Sequence, residues 1–396
     1  MVLKKTVLTF IMVSMAFWVV RYGWLIHKVE TDNYVFTTDE MHDFKNFAKA
    51  RYDYGIQAWL ENDLAQAKNF FRDALFENVL YMDAWLKLAQ VESAKGDSRQ
   101  ATRILTFTDK LTKNVVKWKW PQILLAHELN VHDIFLQNIN FVIPYYRIRK
   151  DALQLLDMEC RRNTADVINV LNFDNLPFYL EWLMKWHRTS DTLLVWNAMA
   201  ESDKIDNQLA DRYMNFLVSQ KDIGNAAKIR QKFTDIEGIT NPGFETPLSR
   251  KGFGWRYGQG KNREWDVKRL QQNPLNGNYA LRISFFGEKN IQFYHFSQIV
   301  PVQPLKSYQI SYWWRSENIT TDKRPYLEIR SFEGKSVLTK SPMIQSSAKW
   351  QAQRLSFLTP EHCRAVVVRV RRDRSHRFDS KIEGQMWLDN FHLEKK

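Results

Sequence analysis

The sequence predicts a multidomain α plus β protein: an N-terminal transmembrane helix, an α-helical repeat array and a C-terminal antiparallel β-sandwich. Three observations carry this prediction. An almost uncharged run follows Lys4 and Lys5. Residues 40–115 resemble themselves at a spacing of 34. Near Gly238, helical periodicity gives way to short alternating runs bounded by Gly, Pro, Asn and Ser. The boundaries read as 1–30, 40–239 and 240–396.

The first segment is apolar from Thr6 to Val20 and continues past Arg21 through Tyr22, Gly23, Trp24, Leu25 and Ile26. A membrane-crossing helix needs about 20 apolar residues. Arg21 can snorkel, and Trp18, Tyr22 and Trp24 suit a membrane–water boundary. A cleaved signal peptide shows small residues after its apolar run. Here that stretch is the bulky Phe17-Trp18-Val19-Val20-Arg21, so an uncleaved anchor is expected. Lys4 and Lys5 keep the N-terminus cytoplasmic, with the acidic Glu30, Asp32, Asp39 and Glu40 on the other side. The expected location is a bacterial inner membrane, crossed once, with the bulk of the chain periplasmic.

In the helical half, Asn62-Asp63 pairs with Gly96-Asp97, Gln66-Ala67 with Gln100-Ala101, Phe71 with Leu105, and Gly55 with Ala89. Gly55, Ala67, Phe71 and Ala74, then Trp85, Leu88, Ala89 and Ala101, resemble the tetratricopeptide repeat family. That family places small residues where paired helices touch. Val79 stands where the family has a proline, and Thr108 where it has a small alanine, so the second unit departs from the pattern. Apolar residues keep helical spacing over 151–158, 176–186, 192–199 and 209–218. Lys221-Asp222 to Ala226 echoes Asn62-Asp63 to Ala67, which predicts a further hairpin. The resemblance implies a surface for protein partners.

Beyond Asn241-Pro242-Gly243, a turn signal, strands are expected at 279–286, 291–300, 307–315, 326–332, 350–358, 364–372 and 385–393. That number of short strands predicts a sandwich or jelly roll. Asn241-Pro-Gly-Phe-Glu245, Gly254-Trp255, Ser297-Gln298-Ile-Val-Pro-Val302 leading into Tyr308, and Trp387-Leu-Asp-Asn-Phe-His-Leu393 resemble the jelly-roll carbohydrate-binding modules of the family 4 and 9 type. The resemblance covers nearly all of 240–394 and implies a sugar ligand. It also implies a structural calcium held by Glu245 and Asp389 with Asn241 nearby; the alternative is a buried Asp389 accepting backbone hydrogen bonds.

Alternation assigns faces. Phe293, Ile299, Tyr308, Ile310, Tyr312, Trp314, Leu327, Ile329, Val366, Val368 and Val370 point inward. Trp313, Arg315, Tyr294, Gln298, Tyr326 and Arg330 point outward and form the candidate carbohydrate site, provided their strands are neighbours in one sheet. Flat rings meet sugar C–H faces, and amides and guanidinium groups meet hydroxyls or carboxylates.

Charge supports an anionic partner. Residues 1–239 carry 30 Lys+Arg and 30 Asp+Glu, whereas residues 240–396 carry 27 and 14, so the net charge of +13 sits in the β-half. The run Arg369 to Arg377 equally suits lipid or lipopolysaccharide phosphates. Nucleic acid is discounted because the anchor places this half outside the cytoplasm. Cys160 and Cys363 fall in different domains, which argues against a disulfide framework or Cys-based zinc. No phosphate-binding Gly loop, His-Glu-x-x-His or Gly-x-Ser-x-Gly is present, and carboxylates are sparse in the β-half. The expected function is a non-enzymatic, membrane-anchored scaffold binding a polysaccharide, which the arginines point to as anionic, and protein partners through the helical repeats, in polysaccharide synthesis or export. The alternatives are an envelope protein–protein adaptor and a polysaccharide-active enzyme with an unrecognised site.

Overall fold

The computed structural model describes residues 2–31, 41, 44, 46–200, 205–234, 236–258 and 264–396. Asp32, Asp39 and Glu40 lie outside them. The described residues form thirteen α-helices: α1 (Val2–Glu30), α2 (Ala48–Leu60), α3 (Leu64–Glu77), α4 (Met82–Ala94), α5 (Ser98–Leu111), α6 (Val116–Glu128), α7 (His132–Val142), α8 (Tyr146–Glu159), α9 (Thr164–Val170), α10 (Leu176–Lys185), α11 (Thr189–Met199), α12 (Asn207–Ser219) and α13 (Ile223–Phe233). Ten strands follow: β1 (Arg256–Tyr257), β2 (Trp265–Leu270), β3 (Ala280–Phe286), β4 (Phe293–Pro301), β5 (Ser307–Glu317), β6 (Tyr326–Ser331), β7 (Val337–Lys340), β8 (Ser347–Leu358), β9 (Ala365–Arg372) and β10 (Glu383–Lys395).

The chain divides into two compact units, Met1–Trp182 and Leu183–Lys396. In the first, the stretch Thr9–Glu30 of α1 is long and apolar enough to cross a membrane and is almost wholly bare of protein contacts up to Val20. Its last turns are different. Leu25 and Val29 are buried, Tyr22 packs 5.6 Å from Phe47, and Lys49 Nζ donates to the Val29 carbonyl.

The helices that follow pair as hairpins, and the 34-residue spacing has a local cause. Asp63 and Asp97 each accept a hydrogen bond from the backbone N–H three residues on, capping α3 and α5. The residue before each cap, Asn62 or Gly96, takes positive φ and turns the chain. Asn130, a further 34 residues on, repeats the positive φ between α6 and α7, a unit whose sequence lacks the Asp cap. Lys221-Asp222 repeats both features ahead of α13. Gly55 is set by packing: a Cβ there would sit 2.5 Å from the Phe71 ring, which is fully buried between α2 and α3.

The second unit holds α11 to α13 together with the sandwich. Arg230 of α13 donates to the Gly238 carbonyl and lies 5.3 Å from the Phe253 ring; burial holds its guanidinium down to about 10. The sandwich is two five-stranded antiparallel sheets. The first has the order β1-β4-β9-β6-β7 and the second β2-β3-β10-β5-β8. All seven strands expected from alternation are present; β1, β2 and β7 are additional. Phe244, Phe296, Ile310, Ile329, Val368 and Leu388 fill the space between the sheets. Opening and closing segments meet there. Phe391 N–H donates to the Pro242 carbonyl, the Trp255 indole donates to the Asn241 carbonyl, and Trp255 stacks 4.7 Å from Phe296.

Candidate functional site

The six outward residues expected to form one site do not meet. Tyr294, Gln298, Tyr326 and Arg330 belong to the first sheet, and Trp313 and Arg315 to the second, so they lie on opposite sides of the sandwich. Gln298 is fully buried: it accepts from Thr240 N–H and donates to the Thr240 carbonyl, fastening the segment before the sandwich onto β4. The cause is a register shift between Phe293 and Phe296 where β4 pairs with β9. A bulge inverts the alternation beyond it. Gln298 thereby joins the inward series with Phe296 and Val300, and Ile299, expected inward, turns away from them.

The outward face of the first sheet is ordered in rows by strand register. Arg371 of β9 pairs with Tyr326 of β6 on one side and faces the bulge that holds Tyr294 and His295 on the other. Tyr294 is half exposed and stacks 4.4 Å from His295. Two strand spacings, about 10 Å, therefore separate two tyrosines with a guanidinium between them. The next row runs Arg256, Ser297, Arg369, Glu328 and Lys340 across all five strands.

Glu328 is the electrostatic centre of this face. It is 1% exposed. Arg369 reaches its Oε1 at 2.5 Å, Lys340 its Oε2 at 3.7 Å and Arg371 at 3.9 Å. Arg371 also holds Asp373 at 3.1 Å, and the Tyr326 hydroxyl donates to Asp373 at 2.7 Å. One buried carboxylate thus answers three cations. Burial, with the positive charge of Arg369 and Arg371, lowers the Arg330 guanidinium below its ordinary range. Burial and the adjacent Asp373 push the Tyr326 phenol up to about 12. Beside this row lies a cavity of about 360 Å³ lined by Lys323, Arg324, Tyr326, Lys340, Pro342, Met343 and Asp373, within the size range of ligand pockets.

Alternation had already turned Tyr294, Tyr326 and Arg330 outward, and the same period of two puts Glu328, Arg369 and Arg371 on that face. Arg256 and Lys340 escape it because β1 and β7 are too short to show a period, and His295 because it sits in the bulge.

The second sheet's outward face is built differently. Lys268, Arg282, Trp387 and Arg315 stand opposite one another across β2, β3, β10 and β5. The Arg315 guanidinium lies 3.8 Å over the Trp387 ring and 5.7 Å from that of Trp350, and its Nη1 pairs with Glu317. Arg315 and Trp387 are buried, so the stack is closed; Trp313 is partly exposed, beside Asp389 and Ala352.

The expected calcium ligands form a clamp. Glu245 accepts from the N–H groups of Asn278 and Tyr279, bridging both oxygens to the first. Asp389, fully buried, accepts from Leu275, Asn276 and Asn390. Asn241 closes its own turn through both backbone groups of Thr246. Three of about four lone pairs on each carboxylate are thus taken by N–H groups, whereas calcium wants 6–8 oxygens free to coordinate. The donor set fits a hydrogen-bonded clamp and does not fit that ion. Among the described residues no group of three or more His, Cys, Asp or Glu stands together. Burial raises the Asp389 carboxyl despite its three N–H donors, and the Glu245 charge adds to the rise.

No family model matches the chain, and no curated protein matches it. Among solved structures, the β-half is similar to a family 4 carbohydrate-binding module at 13% identity, covering 40% of this chain and 99% of that one, with a TM-score of 0.30. It is also similar to TmCBM61 in complex with β-1,4-galactotriose (19% identity, 41% and 100% covered, TM-score 0.29). A third is the CBM22-1 xylan-binding domain of Paenibacillus barcinonensis Xyn10C (12%, 40% and 94%, 0.27). Scores at this level carry no weight of their own; the sandwich stands on its strand pairing.

Proposed function

We propose that this protein is a membrane-anchored, non-catalytic scaffold that binds an anionic polysaccharide on the outward face of β4-β9-β6-β7. The observation that carries the reading is the pair of cross-strand rows there: the exposed Tyr294 and the buried Tyr326, which lines the adjoining cavity, to either side of Arg371, beside a row in which Arg369, Lys340 and Arg371 surround the buried Glu328. The exposed Tyr294 ring offers a flat face to sugar C–H groups, and the cationic excess favours carboxylated sugars. The helical hairpins take protein partners, α1 crosses a bacterial inner membrane, and the sandwich holds polymer at the periplasmic surface during synthesis or export. The two carboxylates of this face argue for binding rather than catalysis, since Glu328 is buried against Arg369 and Asp373 is already paired with Arg371 and the Tyr326 hydroxyl.

Affinity electrophoresis of the detergent-solubilised full chain through polygalacturonate, alginate and neutral dextran tests this. Retardation by the two uronates, weakened by salt and absent with dextran, is expected. Equal mobility in all three would refute it, and release of reducing ends from either uronate would refute the non-catalytic part.

A further inference from the structure

The first helical hairpin displays an apolar loop at the end where α1 arrives. Phe76 at the end of α3 is 89% exposed, and Val79 and Leu80 in the α3–α4 loop are 59% and 69% exposed. The loop is ordered. The Asn78 side chain accepts from Leu80 N–H, Tyr81 N–H donates to the Asn78 carbonyl, and the Trp85 indole donates to the Val79 carbonyl. Fixing three large apolar side chains in water gains nothing for the fold, and such patches mark contact surfaces.

Its position identifies what it contacts. Tyr22 of α1 packs against Phe47, the residue that begins α2, and Lys49 in the first turn of α2 bonds Val29. One turn further, the Tyr52 ring meets Tyr81 at 5.3 Å, immediately after the apolar loop. Burial along α1 changes at the same level: residues 9–20 are bare, whereas Leu25 and Val29 are covered by protein. The protein–bilayer boundary of a spanning α1 therefore falls near Tyr22 and Trp24, and the α3–α4 loop lies within a few residues of that level. The α2–α3 turn, with the 78% exposed Leu60, is at the other end of the hairpin, about 20 Å away along α2.

We infer that Phe76, Val79 and Leu80 enter the interfacial layer of the bilayer that α1 spans, giving the helical array a second membrane contact. A helix alone leaves the array free to swivel about it; a second contact several ångströms to the side fixes one orientation. The inference rests on α1 crossing a bilayer, and the test separates the two.

In a Cys160→Ser, Cys363→Ser background, the full chain carrying Leu80→Cys or Leu60→Cys is labelled with an environment-sensitive NBD dye. It is reconstituted into vesicles of phosphatidylethanolamine and phosphatidylglycerol, and flotation reports whether α1 holds the chain to lipid. In floated protein, the label at position 80 should emit to the blue. It should be quenched severalfold more by lipids carrying a shallow doxyl group than the label at position 60, with the order reversed for iodide. Equal iodide access at both positions in floated protein would overturn the loop contact and leave the anchor standing. Failure to float would overturn both.

Discussion

On the first sheet, guanidinium groups converge on a buried carboxylate beside the buried Tyr326 and leave Tyr294 at the surface; on the second, a guanidinium lies flat on a buried indole and closes the face over. The residue types are nearly the same, and what differs is the counter-group. Glu328 concentrates Arg369, Arg371 and Lys340 around one point while leaving a cationic excess. Trp387 consumes Arg315 in a ring contact with little left to offer a ligand. An outward Arg and an outward aromatic are therefore not by themselves a site: the strand register decides whether they cooperate or cancel.

The largest expected effect follows from removing the centre of the first face. Glu328→Ala leaves the partly buried Arg369 without its carboxylate, and thermal or urea unfolding should show a loss of about 3 kcal/mol. A loss under about 1 kcal/mol would mean that the cluster behaves as an exposed pair. Gln298→Ala should cost about 2 kcal/mol by stranding the N–H and carbonyl of Thr240. It should leave uronate binding intact, because this amide faces inward; lost binding with stability retained would return Gln298 to the ligand face.

Alternation in the sequence was enough to place every long strand, because core positions such as Val366, Val368 and Val370 repeat at a period of two with nothing to interrupt them. It failed at β4, where the bulge between Phe293 and Phe296 inserts a residue that hydrophobic pattern does not announce. It could not say which strands are neighbours, and that is why Trp313 and Tyr294 looked like members of one site. Sheet order depends on contacts far apart in the chain, such as β9 lying between β4 and β6. The helical hairpins were legible where Asp63, Asp97 and Asp222 supply caps, and less so at Val131, where the same turn forms without one.

Smaller effects refine the contrast. Arg330→Ala with Lys340→Ala should weaken uronate binding about tenfold, equivalent to about 1.4 kcal/mol, with little change in unfolding, since both side chains are partly solvated. Alkaline titration separates the faces further. Folding raises the Tyr326 phenol to about 12 from its ordinary 10.0, through burial and Asp373. The folded chain thus keeps a proton that the unfolded chain releases, and the associated stability is full below pH 10.0 and lost as pH climbs to about 12. Tyr326→Phe should show a shallower stability loss across that window than the parent. An identical slope would mean that the phenol is open to water.

The central claim is that the first sheet, and not the second, carries the polymer. Titration calorimetry of the full chain with tetragalacturonate, comparing Tyr326→Ala with Trp313→Ala, tests it most directly. The account predicts binding lost in the first variant and unchanged in the second. Binding abolished by Trp313→Ala but retained by Tyr326→Ala would contradict it.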